Sequence, residues 1–260
     1  NYAGTAGVDL FFVLSSYLIT ELLRREYAVA GRLDIPAFYA RRALRIWPLY
    51  YAYFLLALLL EPVLPRLLGA DLPQLDGLTG EHIWSFGLFL GNWTSGQTGF
   101  PRSTAAHLWT VSIEEQFYIV WPVLFALVTP KHLGKLIAGL FLVAYGTRLG
   151  MWWSESEHIS MYCNTLARLD SIAWGAWISW MFGGRGVSLR PWTRRLMIPT
   201  AMAAIAVSIR YGHWRLEGPL TLGEVCYYGV AAFASAMVLL AVLQPAGQAR
   251  GLLTWRPIVY

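Results

Sequence analysis

GEVCYYGVAAFASAMVLLAVL, residues 223–243, carries one acid near its start and no other charged side chain. Coiled as a helix, a run of that length matches a hydrocarbon core about 30 Å thick. IWPLYYAYFLLALLL, residues 46–60, is a second block of the same kind. Neither block alternates apolar with polar residues, so both predict helices rather than barrel strands, and in lipid a helix satisfies its own backbone.

The rest of the chain agrees. Of 260 residues, 57% are hydrophobic and only 13% charged, too little polar surface to cover a soluble core of this size. The net charge of +5 sits in short joints between apolar blocks, where it reports orientation in a bilayer rather than affinity for nucleic acid. Asn1–Gly7 has neither a basic leader nor an initiator methionine, so the chain is expected to begin inside a longer protein. Cys163 and Cys226 lack metal-ligand spacing, and no metal is expected. Both fall near the outer ends of spans, which leaves a disulfide open in an oxidising compartment, with two free, small core residues as the plainer reading.

The pattern predicts an all-α polytopic bundle, a single membrane domain over 1–260 with seven spans near 8–23, 46–61, 112–129, 135–153, 165–182, 196–210 and 222–243. Positive charge places segment 24–45 (Arg24, Arg25, Arg32, Arg41, Arg42, Arg45) in the cytoplasm, together with Lys131, Lys135, Arg185, Arg190, Arg194, Arg195 and the tail at Arg250 and Arg256. Acidic 61–81 (Glu61, Asp71, Asp76, Glu81 against Arg66), 154–160 (Glu155, Glu157) and near-neutral 211–221 fall outside. A crossing at 82–93 would invert every later joint, so that stretch reads as re-entrant or interfacial.

Charges within a membrane bundle are costly and mark function by default. Asp9, Glu114, Glu115, Arg168, Asp170 and the loop residue His107 are expected at similar depth near the outer side. Each also has a plainer reading. Ser112-Ile-Glu-Glu115 fits a capping box, Arg168 can snorkel to headgroups, and His107 beside Trp109 fits an interface residue. Arg168 and Asp170, two apart, cannot pair well with each other on a helix, so each needs a partner elsewhere; for Arg168 the expected partner is Glu114 or Glu115. On the inner side Asp34-Ile-Pro36 reads as a helix start. It is followed by Arg41, Arg42 and Arg45 on a shared face, equally suited to anionic lipid or to the phosphates of a nucleotide-like donor. Gly7, Trp47, Trp84, Trp93, Trp109 and Trp121 read as packing and interfacial-belt residues.

Four stretches, GVDLFFVLSSYLIT (7–20), FYARRALRIWPLYY (38–51), HLWTVSIEEQFYIVWPVL (107–124) and RLDSIAWGAW (168–177), resemble the acyltransferase-3 family of membrane acyltransferases. Ser16 stands where that family usually has glycine, a change of packing. The resemblance implies a ten-helix protein of the cell membrane. Such a protein moves an acyl group, commonly acetyl, from acyl-coenzyme A to a sugar hydroxyl of a surface glycan or glycosylated metabolite. The R-x-x-R motif, here Arg42 to Arg45 with Arg41 beside it, is implied to serve the donor. Glu114 and Glu115 are implied to be functionally important, with Glu115 orienting or charge-balancing a catalytic histidine expected on a helix before Asn1. Arg168 and Asp170 then shape the acceptor side, and Asp9, His107, Trp109 and Ser112 are expected beside them as acceptor-side or structural polar residues. Acyl-coenzyme A is the donor substrate, and no resident cofactor is expected. On these placements the arginines and Glu115 lie on opposite sides of a core about 30 Å thick. A transporter or channel subunit with a charged path is the rival reading.

Overall fold

The computed structural model describes residues 2–63, 78, 80–128, 130–183, 190–211 and 219–243. Its helices are α1 (Tyr2–Ala30), α2 (Ile35–Leu60), α3 (Gly80–Gly87), α4 (Gly91–Thr98), α5 (Trp109–Leu127), α6 (Leu133–Trp153), α7 (His158–Cys163), α8 (Leu169–Phe182), α9 (Pro191–Tyr211) and α10 (Leu222–Val242). Among the described residues an isolated bridge between Glu157 and Pro219 is the only strand-like pairing. Each expected span lies mostly on a helix, and the chain is an all-α membrane bundle. Asp71, Asp76, Arg66, Arg185, Arg250, Arg256 and residues 212–218 lie outside the described residues.

By length and composition α2, α6 and α10 are long and apolar enough to cross a membrane. Large side chains such as Leu49 (76% exposed) and Leu142 (75%) point outward, an arrangement suited to lipid and not to water. Segment 24–45 is a correction: it is mostly helix, not loop. α1 runs on to Ala30 and closes at Gly31, whose φ of +68° is the left-handed geometry that ends helices. α2 then begins at Ile35, with the Asp34 carboxylate accepting from the Ala37 amide and Pro36 in the first turn, as the sequence predicts. Arg42 and Arg45 therefore sit within α2. The expected span 165–182 is also shorter: Leu166–Arg168 form a 3-10 turn and α8 starts at Leu169.

The segment around 82–93 turns back. α3 and α4 hold 8 residues each, about 12 Å of rise, and meet at Phe89, whose φ of +57° is unusual for a residue with a side chain. The Tyr50 and Tyr51 hydroxyls donate to the Phe86 and Gly87 carbonyls (2.7 and 3.0 Å), fixing this turn against α2.

α1 packs chiefly along α8, and α10 closes the bundle against α9, α1 and α8. The α1–α8 approach is closest at Gly175, where an added Cβ would fall 1.9 Å from Ser16 Oγ and 2.1 Å from the Val13 carbonyl oxygen. Ser16 turns its hydroxyl back onto that same carbonyl, and the missing side chain of Gly175 leaves room for it.

Candidate functional site

α2 and α5 run antiparallel with a groove between them, and side chains bridge it in register. Tyr39 Oη donates to the Ile119 carbonyl at 2.6 Å. Arg42 lies over the rings of Phe38 and Tyr118, 5.7 Å from each centroid. Trp47 Nε1 donates to Glu115 Oε2 at 3.0 Å. Tyr53 packs on His107, centroids 5.1 Å apart. Trp47 is thus more than the belt residue expected from sequence.

Glu114 and Glu115 are both buried on α5. Ser15 of α1 and Tyr118 share a short hydroxyl–hydroxyl hydrogen bond, and both hydroxyls lie within reach of the Glu114 carboxylate. Arg42 lies within Coulombic range of both glutamates. Oε1 of each glutamate has no hydrogen-bond partner among the described residues, which leaves each an acceptor for another molecule. The expected separation of arginines and glutamates across the bundle is therefore corrected. Arg42 and Arg45 ride up α2 while Glu114 and Glu115 lie one to two turns into α5, and they meet at one level. Arg45, Tyr50, Tyr53, His107, Val111 and Glu114 line a cavity of about 430 Å³ there.

The three arginines do not act together. Arg41 turns away to Glu26 at 2.9 Å and is half exposed. The capping-box reading of Ser112–Glu115 is also overturned: α5 begins at Trp109, and the Ser112 hydroxyl donates back to the Leu108 carbonyl at 3.3 Å. Trp109 is buried against Phe100 and Tyr162.

The remaining expected site residues form a separate group. Arg168 does not meet Glu114 or Glu115. Its Nη1 donates to Asp9 Oδ1 at 3.1 Å, and Ser171 Oγ donates to the same oxygen at 2.7 Å. The reason is local: the 3-10 turn before α8 directs Arg168 toward α1. Asp170 pairs closely with Arg148 of α6, whose Nε donates to the Ala167 carbonyl at 2.8 Å. Both guanidinium groups lie over the Tyr228 ring, at 4.2 and 5.7 Å. All four charges are fully buried and sum to zero, which limits their desolvation cost. Arg148 is absent from the sequence-based set, although a lone charge inside an expected span was its signal.

Gln116 is a second addition. Its Nε2 donates to the Phe89 carbonyl and to Asn92 Oδ1 (both 2.8 Å), and its Oε1 accepts from Thr165 Oγ1 (2.6 Å) and Trp93 Nε1 (3.3 Å). It fastens the short helix pair α3–α4 to the helix that carries the glutamates. Cys163 is buried, Cys226 is exposed, and both are free.

A family profile described as an acyltransferase domain matches residues 1–257. The chain is 34% identical over 156 residues to the peptidoglycan O-acetyltransferase OatA of Listeria monocytogenes, covering 54% of this chain and 24% of that protein. A Bacillus subtilis protein provisionally named a peptidoglycan O-acetyltransferase, YrhL, is 26% identical over 98% of this chain and 41% of its own length. A Staphylococcus aureus protein provisionally named an O-acetyltransferase is 29% identical over 69% of this chain and 30% of its own length. The chain thus spans between about a quarter and two-fifths of these relatives. No solved structure matches it.

Proposed function

Because the chain belongs to the acyltransferase-3 family, matched over residues 1–257, we propose that it serves O-acyl transfer at the cell membrane. The donor in this proposal is acyl-coenzyme A, the acyl group acetyl, and the acceptor a hydroxyl on a sugar of the cell wall or another surface glycan. The observation that carries the reading is the lining of one groove by Arg45 of α2 and the buried Glu114 of α5, with Arg42 within Coulombic range of both Glu114 and the buried Glu115.

Arg42 and Arg45 would hold the donor's phosphates, for which guanidinium forks are suited. Arg41, engaged with Glu26, contributes mainly positive charge at the inner end of α2. Glu115, oriented by Trp47, would charge-balance or align the group that takes the acceptor's proton. Glu114, beside Ser15 and Tyr118, presents the second acceptor oxygen. Asp9, Arg168 and Asp170 are engaged with one another and with Arg148. In this proposal they frame the site by fixing α1, which carries Ser15, against α8.

The test uses the full-length parent protein in membranes with labelled acetyl-coenzyme A and a peptidoglycan oligosaccharide. Glu115→Gln should abolish transfer without loss of inserted protein, and Arg42→Ala should raise the donor KM. Normal transfer by both variants would reject these roles.

A further inference from the structure

His107 belongs to the groove more closely than its position before α5 suggests. The 3-10 turn Thr104–Leu108 runs directly into α5, so His107, Val111 and Glu114 follow one another along one helical face. All three line the groove. His107 and Glu114 stand seven residues apart, about 10 Å along the axis.

The imidazole is held in one orientation. His107 Nδ1 lies 2.6 Å from the Thr104 carbonyl oxygen. A carbonyl can only accept, so Nδ1 carries a proton, and in the neutral ring Nε2 keeps its lone pair. Thr104 is itself clamped. Its backbone N–H and its hydroxyl both donate to Glu61 Oε1, at 2.7 and 2.6 Å. Its carbonyl also accepts from Tyr53 Oη at 3.2 Å. The ring meets Tyr53 in an edge-to-face contact, centroids 5.1 Å apart and planes at 61°. Nε2 has no partner among the described residues.

We propose that His107 is the acceptor-binding group of this groove, with Nε2 accepting a hydrogen bond from a hydroxyl of a polyhydroxylated acceptor such as a glycan. The sugar then lies along the α2–α5 groove between His107 and Glu114, with Tyr53 and Tyr50 offering ring surface beside it. Arg45, deeper on α2, marks the donor's side. Glu61, Thr104 and Tyr53 are positioning residues that act through the imidazole. This assignment rests on the acyl-transfer reading for the identity of the site, but the binding it describes needs no donor.

The experiment compares His107→Gln, His107→Asn and His107→Ala in the full-length protein in detergent. A glutamine amide can place an acceptor near the position of Nε2. An asparagine amide can replace only the Nδ1 donor to Thr104. Binding of a soluble peptidoglycan oligosaccharide is measured by calorimetry without donor, and acetyl transfer is measured separately. His107→Asn and His107→Ala should weaken oligosaccharide binding and raise the acceptor KM about 10-fold, the order expected for one hydrogen bond. The donor KM should not change, and His107→Gln should stay within about 3-fold of wild type. If His107→Asn behaves as wild type while His107→Gln fails, His107 only holds the Thr104 turn and the proposal is overturned. Wild-type binding by all three variants overturns it as well. A wild-type protein that binds the oligosaccharide but transfers no acetyl group rejects the reaction, while the three variants still decide the role of His107.

Discussion

Trp47 Nε1 on α2 donates a 3.0 Å hydrogen bond to Glu115 Oε2 on α5, joining the helix of the arginines to the helix of the glutamates. The other oxygen of that carboxylate has no partner, so the indole is its one hydrogen-bonded anchor among the described residues. Phe89, in the turn between α3 and α4, packs on the same indole with centroids 5.8 Å apart. Its left-handed backbone is the kind of strained position that recurs at functional sites.

Trp47→Phe should keep most of the packing and remove the donor. Hydrogen bonds to charged groups contribute about 1.5–3 kcal/mol, so kcat should fall about 10- to 100-fold with the donor KM within about 2-fold of wild type. Steady-state kinetics in membranes, normalised to inserted protein, decide this; an unchanged kcat would leave Glu115 without a positioning role for Trp47.

The three arginines should separate. Arg42 stacks between Phe38 and Tyr118, a contact that needs a planar guanidinium. Arg42→Lys should therefore raise the donor KM about 10-fold despite keeping the charge. Arg41 makes a half-exposed pair with Glu26, of a kind that contributes at most about 1 kcal/mol, and Arg41→Ala should stay within about 3-fold of wild type. Equal defects in Arg41→Ala and Arg42→Lys would point to bulk charge rather than a shaped donor site.

The sequence marks the bundle clearly and the site unevenly, for physical reasons. Long apolar runs and charged joints outline the helices because lipid leaves the backbone few alternatives. Arg42, Arg45, Glu114 and Glu115 stand in compact motifs. Their depth is not legible in those motifs because α2 starts at Ile35, eleven residues before its apolar run, and carries the arginines into the bundle. Pairing was harder to read. Arg168 meets Asp9 because a 3-10 turn, invisible to helical periodicity, rotates it toward α1. Gln116 could not be distinguished from its motif neighbours without the α3–α4 turn it holds.

The buried quartet should behave as two coupled pairs. Arg148→Met alone leaves Asp170 as an uncompensated buried charge, which costs about 3–5 kcal/mol. Removing both partners, in Arg148→Met with Asp170→Leu, should recover much of that loss. Thermal unfolding of the detergent-solubilised protein, taken round the double-mutant cycle, measures the coupling. Additive losses would mean that the close Arg148–Asp170 contact contributes little.

Gly175 tests whether backbone proximity or the serine hydroxyl limits the α1–α8 approach. Its absent Cβ would strike three atoms, Ser16 Oγ at 1.9 Å, the Val13 carbonyl oxygen at 2.1 Å and the Tyr17 backbone nitrogen at 2.7 Å. The first belongs to a side chain and disappears in Ser16→Gly; the other two are backbone and do not. Gly175→Ala should therefore push α1 from α8, displace Ser15 from Tyr118, and lower both the unfolding midpoint and acetyl transfer. The Ser16→Gly, Gly175→Ala double variant should remain defective. Full rescue by Ser16→Gly would show that α1 can shift enough to relieve the carbonyl contact, and that the hydroxyl alone sets the spacing of the two helices.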